Sequence, residues 1–276
     1  MASVRSWWTM DVVLTRVAAF WLIAALLGQW AFFYYIVAFY GPTAATGNFE
    51  AWNRLAAVGA KPFIAGDTGG NLAFVAHALG AAIVALGGAL QLVPRIRSWA
   101  PAFHRWNGRV FLTTVVALSL SGFYLVWIRR SSTSLEGAIS TSINGVLILV
   151  CAMRTFITAR ARDLVVHRRW AMRLYLVSNG QWFIRIGVFG YFIVSKMVGY
   201  DASFSDPFIH FWSYGCYLVP LAVLELYLRA KASGSTAGRL AVAGGLVAIT
   251  LFMLVGMVGF AAFSQLVISG KPLALP

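Results

Sequence analysis

Seven long apolar runs, at about 17–40, 72–93, 110–128, 140–158, 170–195, 208–228 and 240–268, constrain this chain more than any other feature. A run of about 18 or more apolar residues is long enough to cross roughly 30 Å of hydrocarbon. Inside the bilayer only helices and closed barrels satisfy their own backbone. The expected fold is therefore all-α: a polytopic membrane helix bundle with about seven transmembrane helices. It is read as a single integral membrane domain over 1–276, with spans two to six (72–228) as the core and 17–40 and 240–268 as flanks. Only 11% of the residues are charged, against about a quarter in soluble domains, which excludes a water-soluble reading. The fourth run is the most polar, with Ser140, Thr141, Ser142 and Asn144 at its start and Arg154 near its end.

Loop charge gives the orientation. Arg95, Arg97, Arg105 and Arg109 lie between runs two and three, and Arg160, Arg162, Arg168 and Arg169 lie between four and five with Asp163. Arg229, Lys231 and Arg239 follow run six, while the intervening loops are close to neutral, with Arg129 and Arg130 the one mild exception. Because Lys and Arg collect on the cytoplasmic side, this alternation puts the N-terminus inside and the C-terminus outside. The same rule accounts for the formal charge of +14 without a nucleic-acid partner. It makes the bilayer, and anionic lipid headgroups at the inner face, the expected partners. Arg16 before a first run too long for a signal core fits a retained, inward-anchored helix. Cys151 and Cys216 fall in opposite halves of the bilayer and are not expected to pair. The outer loop 41–71, with Phe49, Trp52 and Phe63, reads either as a lid folded back on the bundle or as an interface anchor.

Four histidines fall into two depths. His77 and His210 lie near the outer face; His104 and His167 lie at the inner face, just before spans three and five. Axial imidazoles at matched depth on different helices are what haem b needs, with arginines to meet its propionates. His77 and His210 are the expected iron ligands and the inner pair the second candidates. A histidine at a helix end can equally cap carbonyls or face headgroups. The inner segments repeat: His104-Arg105-Trp106-Asn107-Gly108-Arg109 and His167-Arg168-Arg169-Trp170-Ala171-Met172-Arg173 each follow an arginine seven residues earlier. The hairpins 72–128 and 140–195 thus look like related units, whose basic ends could hold phosphate or carboxylate groups.

Arg185 falls near the middle of the fifth run, where an arginine costs about 2.5–3.5 kcal/mol on insertion scales. Ser178, Gln181 and Arg185 share a helix face. Arg185, Gln181, Arg105, Arg109 and Arg173 are accordingly the expected anion contacts. On the second run His77, Ala81, Val84, Gly88 and Gln91 share a face whose small residues admit close packing. No Walker motif, zinc spacing, nucleophile elbow or intramembrane carboxylate pair is present.

His104, Arg105, Gly108 and Arg109, then His167, Arg168, Arg169, Trp170, Arg173 and Arg185, carry a resemblance. In these HRxxGR and HRRWxxR motifs, with His77 and Glu225, spans two to six resemble a family of predicted bacterial membrane proteins of unknown function. The resemblance implies a multi-pass protein of the bacterial inner membrane and supplies no activity. Similarity to two-haem cytochromes of the b561 type is distant. Three function classes stand open: a haem b redox protein, a transporter or binding protein for an anionic or amphipathic small molecule, and an accessory or assembly subunit working with partner subunits and without catalysis.

Overall fold

A computed structural model describes residues 2–58, 62–132 and 134–272. Among them there is no strand. The helices are α1 (Ala2–Ala45), α2 (Thr68–Leu92), α3 (Pro94–Trp99), α4 (Pro101–Phe123), α5 (Leu135–Arg160), α6 (Leu164–Ser178), α7 (Gly180–Met197), α8 (Pro207–Ala232) and α9 (Thr236–Ser269). Phe49–Val58 forms a 3-10 helix, and Tyr124–Ile128 continues α4 as a π-helical turn. Local chemistry explains most starts. Asp67, Ser134 and Asp163 cap α2, α5 and α6 by accepting from the Gly70, Gly137 and Val166 amides. Pro94, Pro101 and Pro207 open α3, α4 and α8, where the missing N–H costs nothing.

Six helices are long and apolar enough to cross a membrane: those over Met10–Ala45, Thr68–Leu92, Pro101–Ile128, Leu135–Arg160, Pro207–Ala232 and Thr236–Ser269. The seventh expected span, 170–195, is not one continuous helix. It is broken at Asn179 into α6 and α7, of 15 and 18 residues. Asn179 donates its side-chain amide to the Tyr175 carbonyl at 2.7 Å, and Ser178 Oγ donates to the same oxygen at 3.1 Å. Asparagine competing for backbone groups in this way is what ends a helix. With this broken crossing the bundle has about seven spans.

The chain resolves into two compact units, 29–182 with 261–276 and 1–28 with 183–260. In the first, α2 packs on α4, α4 on α5 and α5 on α6. Gly88 makes the closest of these approaches possible: a Cβ there would lie 2.7 Å from Phe111 and 3.3 Å from Tyr175. This is the small-residue face expected of the second run.

The 3-10 helix Phe49–Val58 is folded down on the end of this unit. Trp52 is 1% exposed, donates to Thr43 Oγ1 at 2.8 Å, and packs its ring against Tyr40, Phe49 and Phe74. Beside it, Arg129 enters the bundle end with only 2% of its side chain exposed. It pairs with Asp67 at 2.9 Å and donates to the Asn71 side-chain oxygen at 2.7 Å and the Pro62 carbonyl at 3.0 Å. Asn71 in turn exchanges two bonds with the Ile64 backbone. One buried guanidinium thus fastens residues 62–71 to the end of α4.

In the second unit, Leu14, Ala230, Ala243 and Leu246 form an apolar cluster backed by Trp21 and Tyr227. Lys231 pairs with Asp11 at 2.8 Å beside it. Tyr191 donates to Asp206 at 2.7 Å, and Tyr191, Phe208 and Trp212 stack in a row.

Candidate functional site

The richest cluster of chemical groups lies at the basic end of the first unit, where α2 gives way to α3 and α4, and α5 to α6. Between Arg95 and Arg109 and between Arg154 and Arg173 the chain carries ten arginines and one carboxylate, Asp163. That carboxylate is engaged in capping Val166 N.

His104 and His167 are each the fourth residue of their helix, counted from Pro101 and from Leu164. Each donates its backbone amide to the residue four earlier, Ala100 or Asp163. The expectation that both precede their helices is thus corrected. The proline start and the aspartate cap begin α4 and α6 about a turn before the apolar runs. The repeated sequence has a repeated backbone setting.

Polar side chains fix this end of the bundle. Gln91 Nε2 donates to the His104 carbonyl at 3.0 Å, and Asn107 Nδ2 donates to the Gly87 carbonyl at 2.8 Å, which binds the end of α2 to the start of α4. His167 Nδ1 lies 3.0 Å from the Thr155 carbonyl. A carbonyl can only accept, so Nδ1 carries a proton here and Nε2 is the nitrogen left for another partner. His104 Nδ1 is buried with no hydrogen-bond partner. Arg97, His167 and Arg105 are all within electrostatic reach of the His104 ring. The structure therefore brings His104 and His167 into one neighbourhood, where the guanidinium groups of Arg97 and Arg105 also act on the His104 ring.

Arginine–tryptophan pairs surround this cluster. Arg95 lies over Trp99 at 5.9 Å, Arg109 over Trp106 at 4.8 Å, and Arg154 and Arg173 both over Trp170, at 5.2 and 4.8 Å. Such contacts hold guanidinium groups in place without neutralising them.

One family model covers residues 74–228, more than half of the chain and all of this cluster. The chain belongs to the DUF2306 family of predicted membrane proteins. No curated protein and no solved structure matches it. The DUF2306 segment takes in both repeated motifs, together with His77, His210, Gln181, Arg185 and Glu225.

The other expected site residues are distributed differently. His77 Nδ1 is 2.8 Å from Ser121 Oγ, a link between α2 and α4. His77 belongs to the first compact unit and His210, exposed at the start of α8, to the second. Arg185, half-buried on α7, also belongs to the second unit, whereas Gln181 lies in the first. Among the described residues no group of three or more His, Cys, Asp or Glu could hold a metal ion. Both cysteines are buried and free. Sequence reasoning passed over Arg129, Gln29, Tyr175 and Asn179. Gln29 had a readable signal, as the one non-aromatic polar residue in 17–40.

Proposed function

We propose that this integral membrane protein binds a phosphate- or carboxylate-bearing molecule at its basic end, with the His104–His167 cluster as the contact point. The observation that carries this reading is the setting of His104: an unpartnered buried Nδ1 with Arg97, His167 and Arg105 acting on the ring. Cations that outnumber acids ten to one repel one another, and a bound anion relieves the repulsion while accepting charge-assisted hydrogen bonds. Arg105, Arg109 and Arg173 extend the same surface. Arg185 would serve an anion moving further along the bilayer, as a transporter requires. The positive-inside rule puts this end in the cytoplasm, and the bacterial inner membrane is the proposed location.

The test is the thermal stability of the detergent-purified full chain titrated with inorganic phosphate and, in parallel, with succinate. A saturable rise in Tm is expected with at least one of them. In Arg97→Gln and Arg105→Gln the apparent affinity should fall about tenfold or more, since a charge-assisted bond is worth roughly 1.5–3 kcal/mol and 1.4 kcal/mol is tenfold. Equal affinities in the variants, or no rise with either anion, would sink the reading.

A second reading is favoured by the His167–Thr155 contact. A ligating imidazole commonly donates Nδ1–H to a carbonyl and binds iron through Nε2. Haem b would be held by His104 and His167, with the neighbouring arginines on its propionates, and would supply one-electron redox chemistry. His77 and His210 are the alternative ligand pair. A dithionite-reduced spectrum decides it. A sharp α-band lost in His167→Ala supports the inner pair, a band lost in His77→Ala supports the outer pair, and a colourless protein from haem-replete cells removes the haem reading.

A further inference from the structure

We propose that the bundle interior holds a binding site for a carbonyl oxygen borne on an apolar molecule, built by Gln29 of α1 and Tyr175 of α6 beside the α6–α7 break. Gln29 is 0% exposed and Tyr175 3% exposed. Neither amide atom of Gln29 nor the Tyr175 hydroxyl has a hydrogen-bond partner, although the amide lies beside the hydroxyl. Gln29 is at the middle of the apolar stretch 17–40. Tyr175 lies about 8 Å inside the apolar stretch 170–195 at 1.5 Å per residue.

Counting donors identifies the ligand. A primary amide offers two N–H donors and one acceptor oxygen, and a phenol offers one O–H donor and an acceptor. If Tyr175 donates to Gln29 Oε1, both amide N–H groups remain. If Gln29 donates to the Tyr175 oxygen, one N–H and the O–H remain. Either pairing leaves two donors unmet, and unmet donors are costly in a medium without water. Two neighbouring donors call for one oxygen with two lone pairs, which is a carbonyl. The rest of that molecule must be apolar to reach this depth.

The surroundings hold the site in place. The Tyr175 ring lies against the Cβ-less Gly88, which Phe111 also approaches. Its backbone carbonyl takes two side-chain bonds, from Ser178 and Asn179, at the helix break. Discontinuous helices in membrane transporters line binding sites, because the break frees helix ends and backbone groups to meet a ligand. Even a closed glutamine–tyrosine hydrogen bond would leave two donors for a ligand.

The test uses the full chain in detergent, with unfolding followed by a thiol-reactive dye reporting on Cys151 and Cys216, both buried in the folded state. The probes are decylubiquinone and monoolein, with decylbenzene as the carbonyl-free control. A saturable rise in Tm is expected with one carbonyl probe and not with the control; which probe acts separates a quinone from a lipid ester. Tyr175→Phe and Gln29→Leu should weaken that probe at least tenfold. Without probe, both should melt at or above the parent, because each removes an unmet polar group. The proposal is overturned by no rise with either carbonyl probe, by undiminished binding in the variants, or by variants that melt below the parent without probe.

Discussion

Arg129→Ala will lower the unfolding free energy of the detergent-solubilised protein by on the order of 3 kcal/mol. The side chain is 2% exposed and makes three separate attachments, to Asp67, Asn71 and the Pro62 carbonyl. Truncation removes all three and leaves two acceptors near the bundle end unmet. Arg129→Lys should recover only part of the loss, since a single ammonium lacks the planar fork that reaches several acceptors. Acid should act on the same latch. The Gly70 amide and the Arg129 guanidinium hold the Asp67 carboxyl below its usual value of 3.8. A depressed carboxylate stabilises the fold above its unfolded value and loses that contribution as pH falls through the folded one. The latch should therefore be intact at pH 5 and weaken only below the ordinary carboxylate range. An Arg129→Ala protein melting with the parent across that whole range would contradict the assignment.

Gly256→Ala will cost about 3 kcal/mol, near the upper end for overpacking, because the added methyl has nowhere to go. Its Cβ would fall on the backbone carbonyl oxygen of Ile186, where α9 crosses α7 within one compact unit. A side-chain neighbour could rotate away; a helix backbone moves only if the two helices separate. Gly244→Ala is the matched control, on the same helix with nothing within 4 Å of the added atom. It should be neutral or stabilise by up to about 1 kcal/mol, through helix propensity alone. Thermal unfolding of the two variants side by side checks both. Equal melting temperatures would show that the α7–α9 contact does not govern stability.

The membrane architecture was legible because apolar run length is a local signal that requires no knowledge of partners. The fifth run misled for the same reason. Asn179 is a single tolerable polar residue in a hydropathy window, and its bond to the Tyr175 carbonyl appears only in three dimensions. Arg129 read as an exception to the loop-charge alternation, whereas it is a buried partner for an acid 62 residues earlier. The basic end was better signposted. Repeated HR motifs placed His104 and His167 at one depth, and the structure brings them within electrostatic reach. What depth alone could not convey is which nitrogen each ring offers, since for His167 that depends on the Thr155 carbonyl.

The π-helical turn at Tyr124–Ile128 has a bearing on how the sequence can vary. Arg129 N bonds back to the Tyr124 carbonyl, five residues earlier, so the turn absorbs one residue more than an α-helix would. Each α-helical residue rotates the chain by about 100°. Wound as plain α-helix, the same sequence would swing Arg129 by about that angle, away from Asp67. A chain shorter by one residue within the turn would run straight and keep Arg129 on target. Length at this point is therefore exchangeable with winding: a one-residue deletion can be taken up by the turn and leave the latch in register.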